Sequence, residues 1–279
     1  MSRPVLKQRL MTAAVLVPLM VLFILKVPTE GLAILLALIV LAGAWEWGGL
    51  LKLVITPRSL FMVSVVVGLL LGFFFVLERE QLLTAVTGFA TLLWIVLIFA
   101  VLGAQRSGDL QQDLSPYQYL PLGFLLFVLA WVSAIYLHQT TDQGPALLLY
   151  VMALVWIVDA GAYFAGRRWG KDKLANNISP GKTWQGFYGA VFVGIVFALL
   201  GAWYFDFTAM HFIVFVSLSI VAIVFSVFGD LFESWIKRRA GVKDSGHLLP
   251  GHGGALDRID SLLAALPVTA FGLSIFGIL

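Results

Sequence analysis

Residues 212–239 read FIVFVSLSIVAIVFSVFGDLFESWIKRR, an apolar run that passes directly into a charged segment. Up to Gly229 the run holds no ionisable side chain, and a helix needs roughly 20 mostly apolar residues to cross a bilayer. Four polar residues follow at helical spacing on one face of the continuing helix: Asp230, Glu233, Ser234 and Lys237. The stretch therefore predicts a membrane helix that ends in a polar stripe.

The composition extends this interpretation to the whole chain of 279 residues. Hydrophobic residues make up 61% of it and charged residues 12%, whereas soluble proteins are about 45–50% apolar. No sizeable soluble domain fits, and the lack of cysteine excludes disulfides, thiolate nucleophiles and thiolate metal sites. We expect an all-α, polytopic membrane protein.

Nine apolar segments are candidate membrane spans: 10–25, 31–50, 59–77, 82–103, 119–137, 146–165, 187–204, 212–232 and 259–279. The first resembles a signal peptide, but it is long and Lys26-Val27-Pro28 makes a poor cleavage site, so we expect an uncleaved span. About five spans fall within 1–140, which we expect to be mainly scaffold. About four fall within 141–279, where the polar motifs lie.

The basic residues predict the orientation. If the N-terminus is cytoplasmic, 16 of the 18 Lys and Arg residues lie before the first span or in the cytoplasmic connections 51–58, 104–118, 166–186 and 233–258. Cytoplasmic loops carry an excess of Lys and Arg. We therefore expect the polar connections to face the cytoplasm and the C-terminus to lie outside.

The connection 166–186 carries five cations: Arg167, Arg168, Lys171, Lys173 and Lys182. They suit anion binding, or they mark a cytoplasmic loop with no other task. Gly181-Lys182-Thr183 is not a P-loop, because Asn176 stands where the first glycine of that motif belongs and a membrane span replaces the strand.

Asp159 lies in the span before this connection, where a carboxylate costs about 2.5–3.5 kcal/mol at the bilayer centre. The small residues beside it, Gly161, Ala162, Ala165 and Gly166, allow close helix approach. Asp159 either anchors a helix pair or, as we favour, faces the site.

Asp257 and Asp260 stand three residues apart at the start of the last span. Asp257 alone fits a helix N-cap, but two carboxylates opposite Asp230 would repel one another unless a cation joined them. Oxygen ligands without cysteine suit a hard ion such as Mg²⁺. We predict a metal site at Asp230, Asp257 and Asp260.

Glycines in the preceding segment, 249–254, permit a close approach of backbone to an anion. His247 and His252 are weak candidates for zinc, because hard carboxylates dominate and phosphate contact explains His252 equally well. Glu46, between Trp45 and Trp47, either belongs to an aromatic belt at the interface or lines the site. Metal-binding carboxylates beside basic loops are typical of phosphoryl or nucleotidyl transfer.

The motifs that carry a family resemblance are Ser234-Trp235-Ile236-Lys237-Arg238, Lys243-Asp244, His252-Gly253-Gly254 and Asp257-Arg258-Ile259-Asp260, preceded by Asp159-Ala160-Gly161-Ala162-Tyr163 and Ser179-Pro180-Gly181-Lys182-Thr183-Trp184. With these the chain resembles bacterial phosphatidate cytidylyltransferases, also called CDP-diacylglycerol synthases. Ala160 stands where that family usually has Ser or Thr, which puts a hydroxyl contact there in doubt.

The resemblance implies transfer of CMP from CTP to phosphatidate in the inner (plasma) membrane, giving CDP-diacylglycerol and pyrophosphate. It implies a requirement for Mg²⁺, with a monovalent cation such as K⁺ as an assistant. Nucleic acid is not expected as a partner, and a homodimer is compatible with the resemblance.

The resemblance also implies roles for individual residues. Those implied in catalysis are Asp230, Asp257, Asp260, Lys237 and Arg258, of which the three aspartates hold the metal. Those implied in binding substrate phosphates are Ser234, Arg238, Lys243, His252, Lys182, Arg167 and Asp159.

Two other functions stay open. A related CTP-dependent lipid nucleotidyltransferase would use the same motifs on another phospholipid. A membrane transporter with intramembrane carboxylates would have ionisable residues spread through several spans, whereas here they gather at one end of a few late spans.

Overall fold

The computed structural model describes residues 17–108, 114–246, 248 and 253–279. Helices dominate these residues, in the order α1 (Val17–Lys26), α2 (Thr29–Leu50), α3 (Ile55–Leu71), α4 (Glu80–Ser107), α5 (Pro116–Gln139), α6 (Gly144–Trp169), α7 (Trp184–Tyr204), α8 (Ala209–Ala240) and α9 (Leu256–Ile275). A π-helical turn, Gly72–Val76, prolongs α3, and strands β1 (Lys173–Ala175) and β2 (Ser179–Thr183) separate α6 from α7.

Eight of the described helices, α2 to α9, are long and apolar enough to cross a membrane. This confirms the all-α, polytopic class. The described part of α1, Val17–Lys26, is shorter, about 15 Å against the roughly 30 Å of a bilayer core. The predicted first span, 10–25, begins before the described residues, so the count of nine spans stays a prediction.

The connection between α6 and α7 differs from the polar loop expected there. Helix α6 continues through Arg167 and Arg168 to Trp169, since cations are favourable in the last turn of a helix. The two strands then pair antiparallel, with Lys173 opposite Thr183. Thr183 ends the hairpin and caps α7, its hydroxyl accepting a hydrogen bond from Gly186 N at 3.2 Å.

Tryptophans tie the helices together through their indole N–H groups, which need partners when buried. Trp47 donates to the carbonyl of Tyr119 at 3.0 Å, and Trp94 to that of Leu263 at 2.8 Å. Both rings also contact Phe232. These contacts join α2, α4, α5, α8 and α9 around one core.

Helices α6 and α7 approach closely, as the small residues after Asp159 predicted. A Cβ on Gly186 would lie 2.9 Å from the carbonyl oxygen of Ala162, and one on Gly166 would lie 3.2 Å from the Thr183 hydroxyl. The close pair fixes the start of α7, and with it the hairpin, beside the end of α6.

Candidate active site

The polar segments gather at one end of the bundle. Gln105, in the last turns of α4, accepts hydrogen bonds from the hairpin backbone at Asn177 and Ile178. Arg238 of α8 donates to the carbonyl of Ile178 at 3.3 Å, and Glu46 of α2 accepts from the backbone of Ala255. The connections after α2, α4, α6 and α8 therefore meet at the same end.

Asp230 and the hairpin form the first part of the site. Lys182 Nζ lies 2.7 Å from an Asp230 carboxylate oxygen, and the two side chains are 24% and 33% exposed. Ser234, one turn along α8, donates to the other oxygen of Asp230 at 3.3 Å. The hairpin and the polar face of α8 are thus joined by an ion pair that solvent can reach.

A buried lysine forms the second part. Lys237 Nζ lies 2.6 Å from Glu233 and 2.6 Å from Asp257, linking α8 to the start of α9. The three side chains are between 3% and 10% exposed. Glu233 keeps its second oxygen buried and without a hydrogen-bond partner among the described residues.

Asp257 also organises the backbone before α9. Its carboxylate accepts from Gly254 N at 2.8 Å and from Ser245 N at 3.2 Å, besides Lys237. Gly253 has φ +85°, and a Cβ there would lie 2.7 Å from the same carboxylate, so this turn requires glycine. The expectation that Asp257 is the N-cap is therefore wrong, because Ala255 occupies that position and Asp257 lies in the first turn of α9. Its carboxylate instead holds the backbone before the helix, with most of its acceptor positions used.

Asp159, Asp260 and Arg258 face a cavity of about 740 Å³. The rest of its wall is mainly apolar and comes from α1, α2, α5, α6 and α9, together with Leu248 before α9. Asp159 and Asp260 interact electrostatically with Asp230, and Asp159 also with Lys182 and Arg258. This placement favours the site role of Asp159 over that of a helix anchor.

The three aspartates predicted to hold a metal do not share one set of partners. Asp230 pairs with Lys182, Asp257 with Lys237, and Asp260 accepts from Ser261 N at 2.7 Å. Among the described residues no three carboxylates or histidines are gathered at metal-binding distances. The donor chemistry still fits a hard cation, because every side chain involved offers oxygen and Asp159, Asp230 and Asp260 repel one another.

The remaining predicted phosphate-binding residues are placed as follows. Arg167 is exposed and donates to the hydroxyl of Tyr163. Arg238 donates to the carbonyls of Ile178 and Val242, and Lys243 is exposed after the end of α8. His252 lies outside the described residues.

Two site residues escaped the sequence-based prediction. Glu233 stood on the polar face of α8 but was not assigned a role, although residues four apart on a helix are neighbours and this spacing from Lys237 could have indicated the contact. Gln105 belongs to α4 but fell in the predicted connection 104–118, which carries no motif, and nothing in the sequence singled it out. Glu46, whose role was left open, lies 6% exposed against Ser245 and the start of α9.

The helices, the paired charges and the cavity define a polytopic membrane protein with a polar site at one end of its bundle. A family model described as the Cytidylyltransferase family matches residues 7–276, and the chain belongs to this family.

Several known proteins are similar to the chain. It is 35% identical to a phosphatidate cytidylyltransferase of Haemophilus influenzae over 283 residues, which cover 95% of this chain and 98% of that protein. A phosphatidate cytidylyltransferase of Pseudomonas aeruginosa is also 35% identical, over 95% of this chain and 96% of its own length. One from Staphylococcus aureus is 38% identical over 177 residues, or 63% of this chain and 64% of its own.

Proposed function

We propose that the chain transfers CMP from CTP to phosphatidate, giving CDP-diacylglycerol and pyrophosphate for phospholipid biosynthesis. The observation that carries the proposal is the cavity, whose apolar wall leads to Asp159, Arg258 and Asp260. A lipid phosphate needs both surfaces, one for its acyl chains and one for its charged end. The family and the names of the similar proteins support the same reaction.

The transfer is an in-line displacement at the α-phosphorus of CTP. A phosphate oxygen of phosphatidate forms the new bond to phosphorus. The bond from that phosphorus to the bridging oxygen breaks, and pyrophosphate leaves with the electron pair. No protein nucleophile is required, since a phosphate monoester is already ionised near neutral pH.

The residues that would neutralise the phosphates are those with solvent-accessible charge. Lys182 is reachable beside Asp230, and Arg258 is exposed at the cavity. Ser234 lies one turn from Asp230 and adds a hydroxyl. We propose further phosphate contacts from Arg167, Lys243 and His252, whereas Lys237 and Arg238 would act mainly by holding α9 and the hairpin.

Asp230, Asp257 and Asp260 would hold Mg²⁺, with K⁺ as an additional ion. When bound, the metal neutralises phosphate charge and orients the reacting groups. Asp257 would have to exchange a contact with Lys237 or with a backbone N–H for the ion, because its oxygens already accept several hydrogen bonds.

Purified protein in detergent tests the proposal when it is supplied with CTP and phosphatidate and CDP-diacylglycerol is quantified by mass spectrometry. We expect product with the unaltered chain, and a loss of at least about 100-fold in Asp230→Asn, Asp257→Asn and Asp260→Asn. Asp142→Asn, an exposed carboxylate in the α5–α6 turn, is the matched control and should retain activity. An isoprenoid phosphate preferred over phosphatidate would instead identify a related lipid nucleotidyltransferase.

We also propose the inner (plasma) membrane as the location, with the site and the N-terminus cytoplasmic and the C-terminus outside. The distribution of Lys and Arg supports this orientation. Because the chain has no cysteine, Lys171→Cys and Asp142→Cys report the two ends of the bundle separately. A membrane-impermeant maleimide should label Cys at 142 in intact spheroplasts and Cys at 171 only in inverted vesicles. The reverse pattern would contradict the orientation.

A further inference from the structure

Glu46 is a buried carboxylate in α2 that contacts Ser245 and the start of α9. One of its oxygens accepts from Ala255 N at 3.0 Å, and the other accepts from Leu256 N at 2.9 Å and from the Ser245 hydroxyl at 3.0 Å. The side chain does not line the cavity described above. Its carboxylate is thus satisfied by three donors, two at the start of α9 and one at Ser245.

Two of those donors are backbone N–H groups at the start of α9. The first N–H groups of a helix have no partner inside it and favour negative charge nearby. Ala255, at the N-cap position, has no side chain that could accept from them. The Glu46 carboxylate of α2 therefore accepts the hydrogen bonds that an N-cap side chain would otherwise accept.

The third donor lies at the other end of the same segment. Ser245 precedes the glycine-containing residues 246–254, and Ala255 follows them, so one carboxylate joins the beginning of this segment to its end. The fit is close on both sides, because a Cβ on either Gly246 or Gly254 would overlap the Glu46 carboxylate. Asp257 joins the same two ends through Ser245 N and Gly254 N.

We infer that Glu46 is a positioning residue for the transfer reaction, an inference that rests on the proposed function. It ties Ser245 to the start of α9 from α2 and thereby fixes Asp257 and Asp260 relative to Lys237 and Asp230. Its carboxylate lies outside the lining of the cavity and acts through the residues that it holds. Small displacements of reacting groups can cost about 100-fold in rate, which sets the size of the expected effect.

The kinetic test compares Glu46→Ala and Glu46→Gln with Glu30→Ala, an exposed carboxylate in the first turn of the same helix. We expect kcat to fall about 100-fold in Glu46→Ala while KM for CTP changes far less. Glu46→Gln should lie between, because its amide keeps one acceptor oxygen and loses the other. Glu30→Ala should match the unaltered chain. A kcat within twofold of normal in Glu46→Ala overturns the inference.

A double-mutant cycle with Ser245→Ala separates positioning from general damage. If Glu46 acts through the segment, Ser245→Ala should lower kcat in the unaltered background and have little further effect beside Glu46→Ala. Independent, additive losses would contradict the inference.

A third measurement does not depend on activity. Leu248 is 60% exposed within the segment, and the chain has no cysteine, so a nitroxide on Leu248→Cys reports the motion of this segment alone. We expect faster label motion in Glu46→Ala than in Glu30→Ala. Unchanged motion would overturn the inference even if the chain forms no CDP-diacylglycerol, whereas faster motion without any product would count against the proposed function only.

Discussion

Replacing Lys237 by Met removes an ammonium that two carboxylates share. Both contacts measure 2.6 Å, and the side chains of Lys237, Glu233 and Asp257 are only 10%, 3% and 8% exposed. Water therefore cannot replace the lost charge, and two carboxylates remain close together in a buried place. Breaking a buried ion pair by removing one partner costs about 3–5 kcal/mol. We expect Lys237→Met to lower the free energy of unfolding by that amount.

Lys182→Met is the control for this prediction, since it breaks an ion pair of similar length. The Lys182 and Asp230 side chains are 24% and 33% exposed, and pairs that water reaches contribute about 0–1 kcal/mol. Unfolding by SDS titration in mixed micelles, followed by tryptophan fluorescence, would give both values. Adding Glu233→Gln to Lys237→Met should recover part of the loss. The reasoning is refuted if Lys237→Met costs no more than Lys182→Met.

Three further changes test other contacts. Gly254→Ala should lower activity in the CDP-diacylglycerol assay about as much as Glu46→Ala, because the added Cβ would overlap Glu46 and the Ser245 hydroxyl. Gly181→Ala is the control, since its Cβ would meet no atom within 4 Å, and it should leave activity unchanged. Gln105→Ala leaves the hairpin N–H groups of residues 177 and 178 without their acceptor, so hydrogen exchange of 173–183 should quicken; unchanged exchange would count against this docking. His138→Phe leaves the carbonyl of Ile24 and the hydroxyl of Thr29 without their hydrogen-bond partner. We expect it to lower the free energy of unfolding by about 1–3 kcal/mol in the same SDS titration. A stability equal to that of the unaltered chain would show that these hydrogen bonds contribute little.

The membrane helices were predictable because apolar runs of sufficient length have few alternatives in a bilayer. Their ends were less predictable. Helix α8 continues to Ala240, beyond the apolar run that ends at 232. Only the polar stripe through Lys237 indicated this continuation. Likewise, α6 continues past its apolar part to Trp169, and a hairpin replaces the expected loop because two short strands leave little periodic signal.

The residues of the candidate site were predictable as a group but not by partner. Spacing along one helix placed Asp230, Ser234 and Lys237 on one face, and the structure adds a contact between Lys237 and Glu233 on that face. Which cation meets which carboxylate depends on the packing of separate helices, as Lys182 with Asp230 shows. Glu46 is the extreme case, since nearly 200 residues separate it from Ser245 and no local pattern reports that distance.

Helix α8 has 32 residues and is therefore about 48 Å long, well beyond the roughly 30 Å of hydrocarbon that a bilayer offers. One continuous rod thus passes through two solvents, oil along most of its length and water at its charged end. In the proposed reaction, a nucleotide dissolved in water and a lipid embedded in the bilayer can meet beside this helix at the membrane surface. Because α8 extends beyond the bilayer, CTP would not have to enter the hydrocarbon and phosphatidate would not have to leave it.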